Sequence, residues 1–229
     1  MISVIIPTRN SGSHLARTFA PLIAGVADGV VKQAIVADAG SSDDTLAVAE
    51  AAGCDVVAVS GNRARQLIEG AKAARGEWFL ILHPGTVLTP AWLDEVKRFI
   101  ARPGAQSRAA TFRFAFDDDA PEARRVVSWA RLRGEALKLP GGEQGLLISR
   151  RLYDILGGYA NMDAMEDVDL VRRIGGKRLT VLGADALVCA EKYQRDGYTR
   201  HAWREQVALA RYLMGADPGD LAKVLEPGA

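Results

Sequence analysis

The sequence predicts an α/β protein with a mostly parallel sheet flanked by helices and a smaller antiparallel portion. Apolar runs alternate with helical patterns in the order β-α-β-α-β-α-β over residues 1–82. Successive parallel strands need a crossover helix between them, so this alternation favours a parallel sheet covered on both faces. Apolar residues alternate with period two from Thr111 to Phe116, which is typical of a half-solvated antiparallel strand. The 48% of hydrophobic residues is sufficient for a buried core.

The first half of the chain supplies the parallel strands. Residues 2–6 form a short apolar run ended by Pro7, and residues 33–37 repeat the pattern. Between them, apolar residues recur at helical spacing from Ser13 to Val26, where Pro21 should kink or shorten the helix. The later elements of this half are two helices and two strands: Thr45–Ala52, Arg63–Ala74, Val56–Val59 and Trp78–Leu82.

The second half is predicted to contain four helices and three short strands besides the alternating one. The helices are Glu122–Lys138, Arg150–Leu156, Asp163–Arg173 and Tyr198–Met214, and the strands are Leu146–Ile148, Leu179–Leu182 and Ala186–Ala190. A Gly-rich loop spans Pro140–Gly145. Since the chain has neither an internal repeat nor a linker, we expect one domain over residues 1–229.

Charge and composition exclude several classes of protein. Lys+Arg total 29 and Asp+Glu 28, a net charge of +1, so nothing favours nucleic-acid binding. No stretch approaches the roughly 20 apolar residues that a transmembrane segment needs, and Met1 leads directly into a strand without a signal-type region. We therefore expect a cytoplasmic protein. Cys54 and Cys189 lie far apart, which favours reduced thiols in the core over a disulfide or a zinc site.

Two polar segments follow the first two strands. Pro7-Thr8-Arg9-Asn10 comes after the first, and Asp38 with the turn Gly40–Thr45 after the second. Open α/β sheets bind ligands at the carboxyl ends of their strands, so both segments should face one ligand. Asp38 can accept from a uracil imide or ribose hydroxyls, and the turn opens a helix that favours anions. The alternative is that Asp38 and Asp43 only cap the turn and the helix.

A second group of acidic residues lies in the predicted helix near residue 165. In a helix Glu166 and Asp169 share a face, as do Asp163 and Asp167, and no equal basic complement precedes Arg172-Arg173. This concentration predicts a ligand, a metal or raised pKa values. The alternative, an acidic helix start with an ion pair from Asp169 to the arginines, explains only one or two of the carboxylates.

These motifs resemble those of the inverting nucleotide-sugar glycosyltransferases of the GT-A fold, the large family two. The similarity is greatest to a short bacterial subgroup with an Arg-Ala-Arg-Gln motif, then a helix, then a strand ending in a His-Ala-Asp-Thr-type motif. The corresponding segments here are Arg63–Gln66 and His83–Thr86. Gly142–Gly145 and Gly157–Tyr159 match the subgroup's acceptor-side loop and Gly-Gly-aromatic turn. The resemblance covers residues 2–215.

The resemblance implies a GT-A (Rossmann-like) fold that moves a sugar from a nucleotide-diphosphate donor, most often a UDP-sugar, to an unidentified acceptor with inversion. Residues 1–100 would form the nucleotide-binding half, and residues 101–229 the acceptor-side half with the C-terminal helix. Asp167 would be the catalytic base, because inversion needs a carboxylate opposite the leaving diphosphate. The nucleotide contacts would be Pro7, Thr8, Asn10, Asp38, Arg63 and Gln66, and the acceptor-side residues Glu166 and Gln144.

The end of the fourth strand departs from the family pattern. The family places an Asp-x-Asp-type motif there that holds Mg²⁺ or Mn²⁺, whereas this chain has His83-Pro84-Gly85. His83 is a weak ligand for a hard divalent cation, which prefers oxygen. Three alternatives follow: a metal held by the diphosphate, His83 and a remote carboxylate; metal-free transfer aided by Arg63, Arg65 or Lys138; or a non-catalytic nucleotide-sugar-binding protein that has lost the motif.

Two helices raise the question of partners. Glu122–Lys138 combines five basic residues with a narrow apolar stripe, which favours an amphipathic helix packed on the sheet over a membrane-binding helix. Peripheral contact with the inner membrane, through a lipid-linked acceptor, stays open beside a small-molecule acceptor. The last helix leaves a dimer open.

Overall fold

The computed structural model describes residues 1–225, which form one eight-stranded sheet with helices on both faces. Its strands are β1 (Ile2–Thr8), β2 (Val31–Asp38), β3 (Asp55–Ala58), β4 (Trp78–Ile81), β5 (Val87–Leu88), β6 (Ala109–Phe116), β7 (Leu146–Ser149) and β8 (Leu179–Val188). They lie in the order β3-β2-β1-β4-β7-β6-β8-β5. The predicted α/β fold is confirmed. The last residues of the predicted domain, 226–229, lie outside the described residues.

Eleven helices accompany the sheet in the described part of the chain. They are α1 (Gly12–Phe19), α2 (Leu22–Ala27), α3 (Thr45–Ala51), α4 (Arg63–Ala73), α5 (Trp92–Ile100), α6 (Pro121–Ala136), α7 (Arg150–Ile155), α8 (Glu166–Ile174), α9 (Glu191–Asp196), α10 (Tyr198–Leu213) and α11 (Pro218–Leu225). The predicted break at Pro21 is confirmed, because this proline separates α1 from α2. No helix within residues 1–225 is both long enough and apolar enough to cross a bilayer.

Strand β4 marks the point where the direction of the sheet changes. It runs parallel to β1, with Ile5 opposite Ile81, and antiparallel to β7, where Ile81 faces Leu146. The carboxyl end of β4 therefore lies beside the amino end of β7. As a result, the loop before β7 reaches the same edge of the sheet as the loops after β1 and β2.

The first strand continues through Pro7, where the sequence predicted its end. Leu82 N donates to Ile5 O, and Ala39 N donates to Thr8 O, so alternate residues of β1 face β4 and β2. Pro7 faces the β4 side, but the pairing of β1 with β4 stops at Ile5. The missing proline N–H thus faces a position where the sheet needs no donor, which is why the strand tolerates it.

Three predictions for the second half need correction. Strand β6 is antiparallel only to β7; it runs parallel to β8, and its first half is buried on both faces. The two strands predicted at 179–190 are one continuous strand, β8. Helix α8 begins at Glu166, after Met165 in a left-handed conformation (φ 66°), so Asp163 lies outside it. The sequence also missed α5, α9 and α11, and β5.

The two faces of the sheet carry separate apolar layers. On one face Leu15 of α1 and Trp92 and Phe99 of α5 are almost completely buried. On the other, Leu67 of α4 and Leu170 of α8 pack against the sheet. Each such side chain stabilises the fold by about 1.5–3 kcal/mol. These layers hold α1 and α4 in place, and both helices begin at the carboxyl edge.

Helix α6 buries only part of the predicted apolar stripe. Val126 and Val127 pack against the core, whereas Trp129 is 71% and Leu132 57% exposed. The buried residues of the helix are small and let it approach its neighbours closely: Ala123, Ala130 and Gly134.

Two glycines in helices allow a matched test of packing in this fold. A Cβ at Gly70 of α4 would lie 2.6 Å from Cγ2 of the buried Ile5, whereas at Gly134 of α6 the nearest such atom, Nε2 of Gln144, is 3.4 Å away. Gly70→Ala should lower the melting temperature, because overpacking costs about 1–3 kcal/mol and the gain in helix propensity is at most about 1 kcal/mol. Gly134→Ala should leave it unchanged or raise it. Equal stabilisation by both changes would contradict this account.

Candidate functional site

The loops after β1 and β2 interlock at the carboxyl edge of the sheet. Asn10 N donates to Ser41 Oγ (2.8 Å), and Ser42 N donates to Asn10 Oδ1 (2.9 Å). Asn10 has a left-handed backbone (φ 49°), which asparagine tolerates better than most residues. Gly12 N donates to Asp43 Oδ2 (3.1 Å), which ties the start of α1 to the second loop. The two polar segments predicted to share a site are therefore together.

Asp38 connects these loops and is only 3% exposed. Its Oδ1 accepts from Thr8 Oγ1 (2.9 Å) and Ser41 Oγ (2.5 Å), and its Oδ2 accepts from Ser41 N (2.8 Å). The turn-capping role is thus present. A carboxylate has about four lone-pair sites, so Oδ2 retains acceptor capacity beyond these three bonds.

Gln66 clamps the ends of two strands. Its Nε2 donates to Thr8 O (2.6 Å) and Ala37 O (2.7 Å), and the side chain is buried. These bonds satisfy carbonyl groups where the sheet ladder ends. The predicted nucleotide contacts thus comprise four buried residues, Pro7, Thr8, Asp38 and Gln66, and two exposed ones, Asn10 and Arg63.

An ion pair joins α4 to α8. Arg63 Nε contacts Glu166 Oε1, and the Glu166 side chain is 2% exposed whereas that of Arg63 is 44% exposed. Next to this pair, Asn62 caps α4 by accepting from Arg65 N (3.0 Å) and donates to Asp163 Oδ1 (2.9 Å). The first turn of α4 is therefore fixed to the segment that leads into α8.

Every carboxylate of the acidic segment has a partner, which corrects the expectation of unrelieved repulsion. Glu166 pairs with Arg63, Asp169 with Arg173, Asp163 with Asn62 and Asp167 with Gly142. Of these four contacts, only that of Asp169 lies within the helix. The other three come from distant parts of the chain, so sequence spacing could not reveal them.

Asp167 lies at a small cavity lined also by His83, Gly142 and Tyr159. Its Oδ2 accepts from Gly142 N (2.7 Å), and its Oδ1 accepts from Val168 N (2.8 Å). A Cβ at Gly142 would lie 2.6 Å from Asp167 Oδ2 and 3.0 Å from His83 Nε2. Only glycine lets these two side chains and the loop approach so closely.

His83 is half-buried beside Asp167. Burial and the nearby Arg63 guanidinium lower the pKa of His83 to about 3, although Asp167 opposes the shift. The imidazole is therefore neutral at neutral pH. Pro84 and Gly85 add no oxygen-bearing side chain, and both oxygens of Asp167 accept backbone bonds, so this turn does not fit a hard cation such as Mg²⁺ or Mn²⁺.

A cluster on the far side of the Gly142 loop was missed by the sequence analysis. Tyr193 Oη lies 3.2 Å from Glu205 Oε2 and 3.4 Å from Glu143 Oε2, and the His201 ring is 4.3 Å from that of Tyr193. Burial and the charge of Glu205 raise the pKa of Glu143 to about 7. The charge of Lys192 reaches both Glu143 and His83. The only sequence signal was the position of Glu143 in the Gly142–Gly145 motif.

Gln144 is the buried anchor of that loop. Its Nε2 donates to Phe112 O (2.8 Å), and its Oε1 accepts from Gly141 N (3.0 Å). Both ends of the amide are thus used to hold the loop against β6. Contact of Gln144 with an acceptor stays a prediction.

Comparison with known proteins agrees with this architecture. Two solved complexes of glucosyl-3-phosphoglycerate synthase from Mycobacterium tuberculosis resemble the fold, each covering 82% of this chain and 70% of the other with a TM-score of 0.59. One contains Mn²⁺, UDP and glucosyl-3-phosphoglycerate (19% identity), the other Mn²⁺, UDP-glucose and phosphoglyceric acid (20% identity). At such identity the likeness shows the fold alone. Among curated proteins, none matches the sequence.

The family assignment comes from the sequence. Residues 3–154 match the model of the family described as Glycosyl transferase family 2, which is more than half of the 229 residues. The match spans β1 to α7 and includes the interlocked loops, the Arg63 helix and the His83 turn. The GT-A-like sheet of the solved synthases is consistent with it. The chain therefore belongs to glycosyltransferase family 2.

Proposed function

We propose that this protein transfers a sugar from a uridine-diphosphate donor to an acceptor hydroxyl with inversion, and that Asp167 is the general base. The observation that carries the proposal is the position of Asp167 in a cavity beside the carboxyl edge, with its carboxylate oriented by two backbone N–H groups. An inverting transfer needs one such carboxylate to take the acceptor proton.

The donor is assigned to the half formed by residues 1–100. Asp38 keeps acceptor capacity at the end of β2 for a uracil imide or a ribose hydroxyl, and Asn10 and Arg63 are exposed nearby. Pro7, Thr8 and Gln66 shape the edge beneath them. The solved synthases of similar fold bind UDP or UDP-glucose, which supports uridine as the base.

We assign to basic side chains the role of stabilising the negative charge on the departing diphosphate. One solved synthase complex contains Mn²⁺ with UDP, but the residues of the His83 turn in this chain do not fit a hard divalent cation. Arg63 at the start of α4 and Lys192 of α9 bring positive charge to the cavity. Cationic side chains can stabilise a phosphate leaving group electrostatically.

The acceptor is assigned to the half formed by residues 101–229. Glu143 follows Gly142, which contacts the proposed base, and its carboxylate lies in a hydrogen-bonded cluster with Tyr193 of α9 and Glu205 of α10. Such groups suit an acceptor with several hydroxyls. Glu166 holds Arg63 and acts as a positioning residue for the neighbouring Asp167.

Asp167→Asn should reduce transfer by about 10²–10⁴-fold, because it removes the basic oxygen. UDP affinity should be unchanged, since the donor uses the other loops. The substitution turns an NH₂ group toward one of two N–H donors, so the free energy of unfolding should fall by the worth of one half-buried hydrogen bond, about 0.5–1.5 kcal/mol, and the melting temperature should fall slightly. UDP release is measured from a panel of UDP-sugars, with phosphoglyceric acid among the acceptors. If this variant still transfers sugar at the wild-type rate, another residue is the base.

Gly142→Ala tests the same geometry without altering an ionisable group. The added methyl group would displace Asp167 and His83, and misplacement by about 1 Å can cost about 10²-fold in rate. Gly134→Ala in α6 is the matched control. We expect Gly142→Ala to lower the rate while UDP binding, measured by calorimetry, stays intact. Loss of UDP binding in this variant would contradict the division of the site.

Nucleotide binding itself separates this proposal from a non-catalytic role. UDP at about 100 times its dissociation constant should stabilise the fold by about 2.7 kcal/mol, and GDP at the same concentration by less. Stabilisation by UDP with no turnover of any UDP-sugar would favour a nucleotide-sugar-binding protein. No stabilisation by either nucleotide would exclude both functions.

Glu143→Gln should change the pH dependence of stability. A carboxyl group whose pKa is about 7 in the fold and lower when unfolded destabilises the fold progressively as pH rises from about 4.5 to 7. Glutamine removes this cost, so the variant should melt above wild type at pH 8, and the difference should shrink toward zero near pH 5. Glu122→Gln, at an exposed site in α6, is the control. A pH-independent difference would contradict the raised pKa of Glu143.

A further inference from the structure

Three potential metal ligands meet on the α1 side of the His83 turn. They are His14 of α1, Cys189 just after β8 and Glu191 at the start of α9, and their ligand atoms all lie within 4.8 Å of one another. His14 Nε2 is 3.7 Å from Glu191 Oε2. Within residues 1–225 no other group of three or more His, Cys, Asp and Glu side chains meets this criterion. Cys189 is a free, half-buried thiol, so its sulfur is available as a ligand.

The chemistry of this set suits a particular class of ion. Zn²⁺ binds imidazole nitrogen, thiolate sulfur and carboxylate oxygen at about 2.0–2.3 Å, which places neighbouring ligand atoms roughly 3.5 Å apart in a tetrahedron. The 3.7 Å between His14 Nε2 and Glu191 Oε2 is close to this value, and the other pairs of ligand atoms lie within 4.8 Å, so side-chain rotations are needed to complete the geometry. A thiolate together with an imidazole selects Zn²⁺ or similar transition ions over Mg²⁺, which prefers oxygen.

The backbone that carries two of these ligands is held in place by Asp117. Its Oδ1 accepts from the N–H of Ala190, the residue between Cys189 and Glu191 (2.9 Å). Its Oδ2 accepts from Arg17 Nη2 (2.7 Å), so the guanidinium whose Nη1 lies 3.9 Å from the Cys189 sulfur is paired with a carboxylate. Metal ligands in proteins are commonly oriented by such outer contacts.

Gly85 brings the His83 turn against this cluster. Its backbone is left-handed (φ +87°), and a Cβ there would lie 3.4 Å from Cys189 Cβ and 3.6 Å from His14 Cβ, which is ordinary contact. Its N–H donates to Thr18 Oγ1 (2.9 Å), which fixes the turn against α1. The left-handed backbone therefore favours glycine at this position, and the turn lies directly beside both ligands.

We propose that His14, Cys189 and Glu191 form a binding site for a divalent transition ion of the Zn²⁺ class, with a fourth position open to water or to an oxygen of a bound ligand. Three protein ligands with one open position is the arrangement of Zn²⁺ sites that exchange a ligand. The proposal does not depend on the function proposed above, because it concerns metal binding by the protein alone.

Titration of the reduced full-length protein with Co²⁺ and Zn²⁺ tests the site. We expect one Co²⁺ per chain, with the charge-transfer absorption of a cobalt–thiolate bond and displacement by Zn²⁺. Cys189→Ser should abolish the absorption, whereas the matched control Cys54→Ser should retain it. Glu191→Gln, at an exposed side chain, should leave the fold unchanged and weaken Zn²⁺ binding about tenfold or more, because even changes outside the ligand set cost about 10–100-fold.

The site would be overturned by any of three results: wild type without cobalt–thiolate absorption, absorption that persists in Cys189→Ser, or Zn²⁺ affinity unaffected by both His14→Ala and Glu191→Gln. Circular dichroism of each variant shows whether it is folded. If Cys189→Ser does not fold, His14→Ala and Glu191→Gln decide by their effect on Zn²⁺ affinity and cobalt absorption.

Discussion

The arrangement of the candidate site depends on the ion pair between Arg63 and Glu166. The Glu166 carboxylate is almost fully buried, so loss of its partner would leave a buried charge, which typically costs about 3–5 kcal/mol. The pair joins the first turn of α4, in the parallel half of the sheet, to the first turn of α8 in the other half. Because Glu166 is fixed, the next residue, Asp167, is presented to Gly142 and His83.

The change of direction at β4 makes this meeting possible. Parallel pairing with β1 brings the first two loops to the carboxyl edge, and antiparallel pairing with β7 brings the Gly142 loop there from the other half. Side chains satisfy the backbone groups that the sheet leaves open at this edge: Gln66 bonds two carbonyls, and Asp38 holds the turn that follows β2. Contacts within the fold therefore order this edge, to which we assign the donor.

Burial shifts the pKa values of His83 and Glu143 in opposite directions, and in both cases it favours the neutral form. Desolvation disfavours the charged form of every group, so it lowers the pKa of His83 to about 3 and raises that of Glu143 to about 7. His83 is thus neutral beside Arg63 and Asp167, and Glu143 is about half protonated at neutral pH. The turn where the sequence resemblance predicts a carboxylate motif holds a neutral imidazole and glycine instead, and the metal-ligand set that we propose lies beside Gly85 of this turn.

The sequence by itself determined the α/β class, the order of its first four strands, the break at Pro21 and the family, because these follow from local periodicity, proline chemistry and motifs. It also made Asp38 and Asp167 candidate site residues, because both lie in dense polar segments, and their roles stay predictions. Only the tertiary structure decided which distant residues pair with the acidic segment. It also decided that the side-chain amides of Gln66 and Gln144 bond to backbone groups instead of facing solvent, and that Cys189 lies beside His14. Side-chain pairing across a sheet edge depends on how helices pack and on which strands become neighbours, and spacing along the chain contains neither.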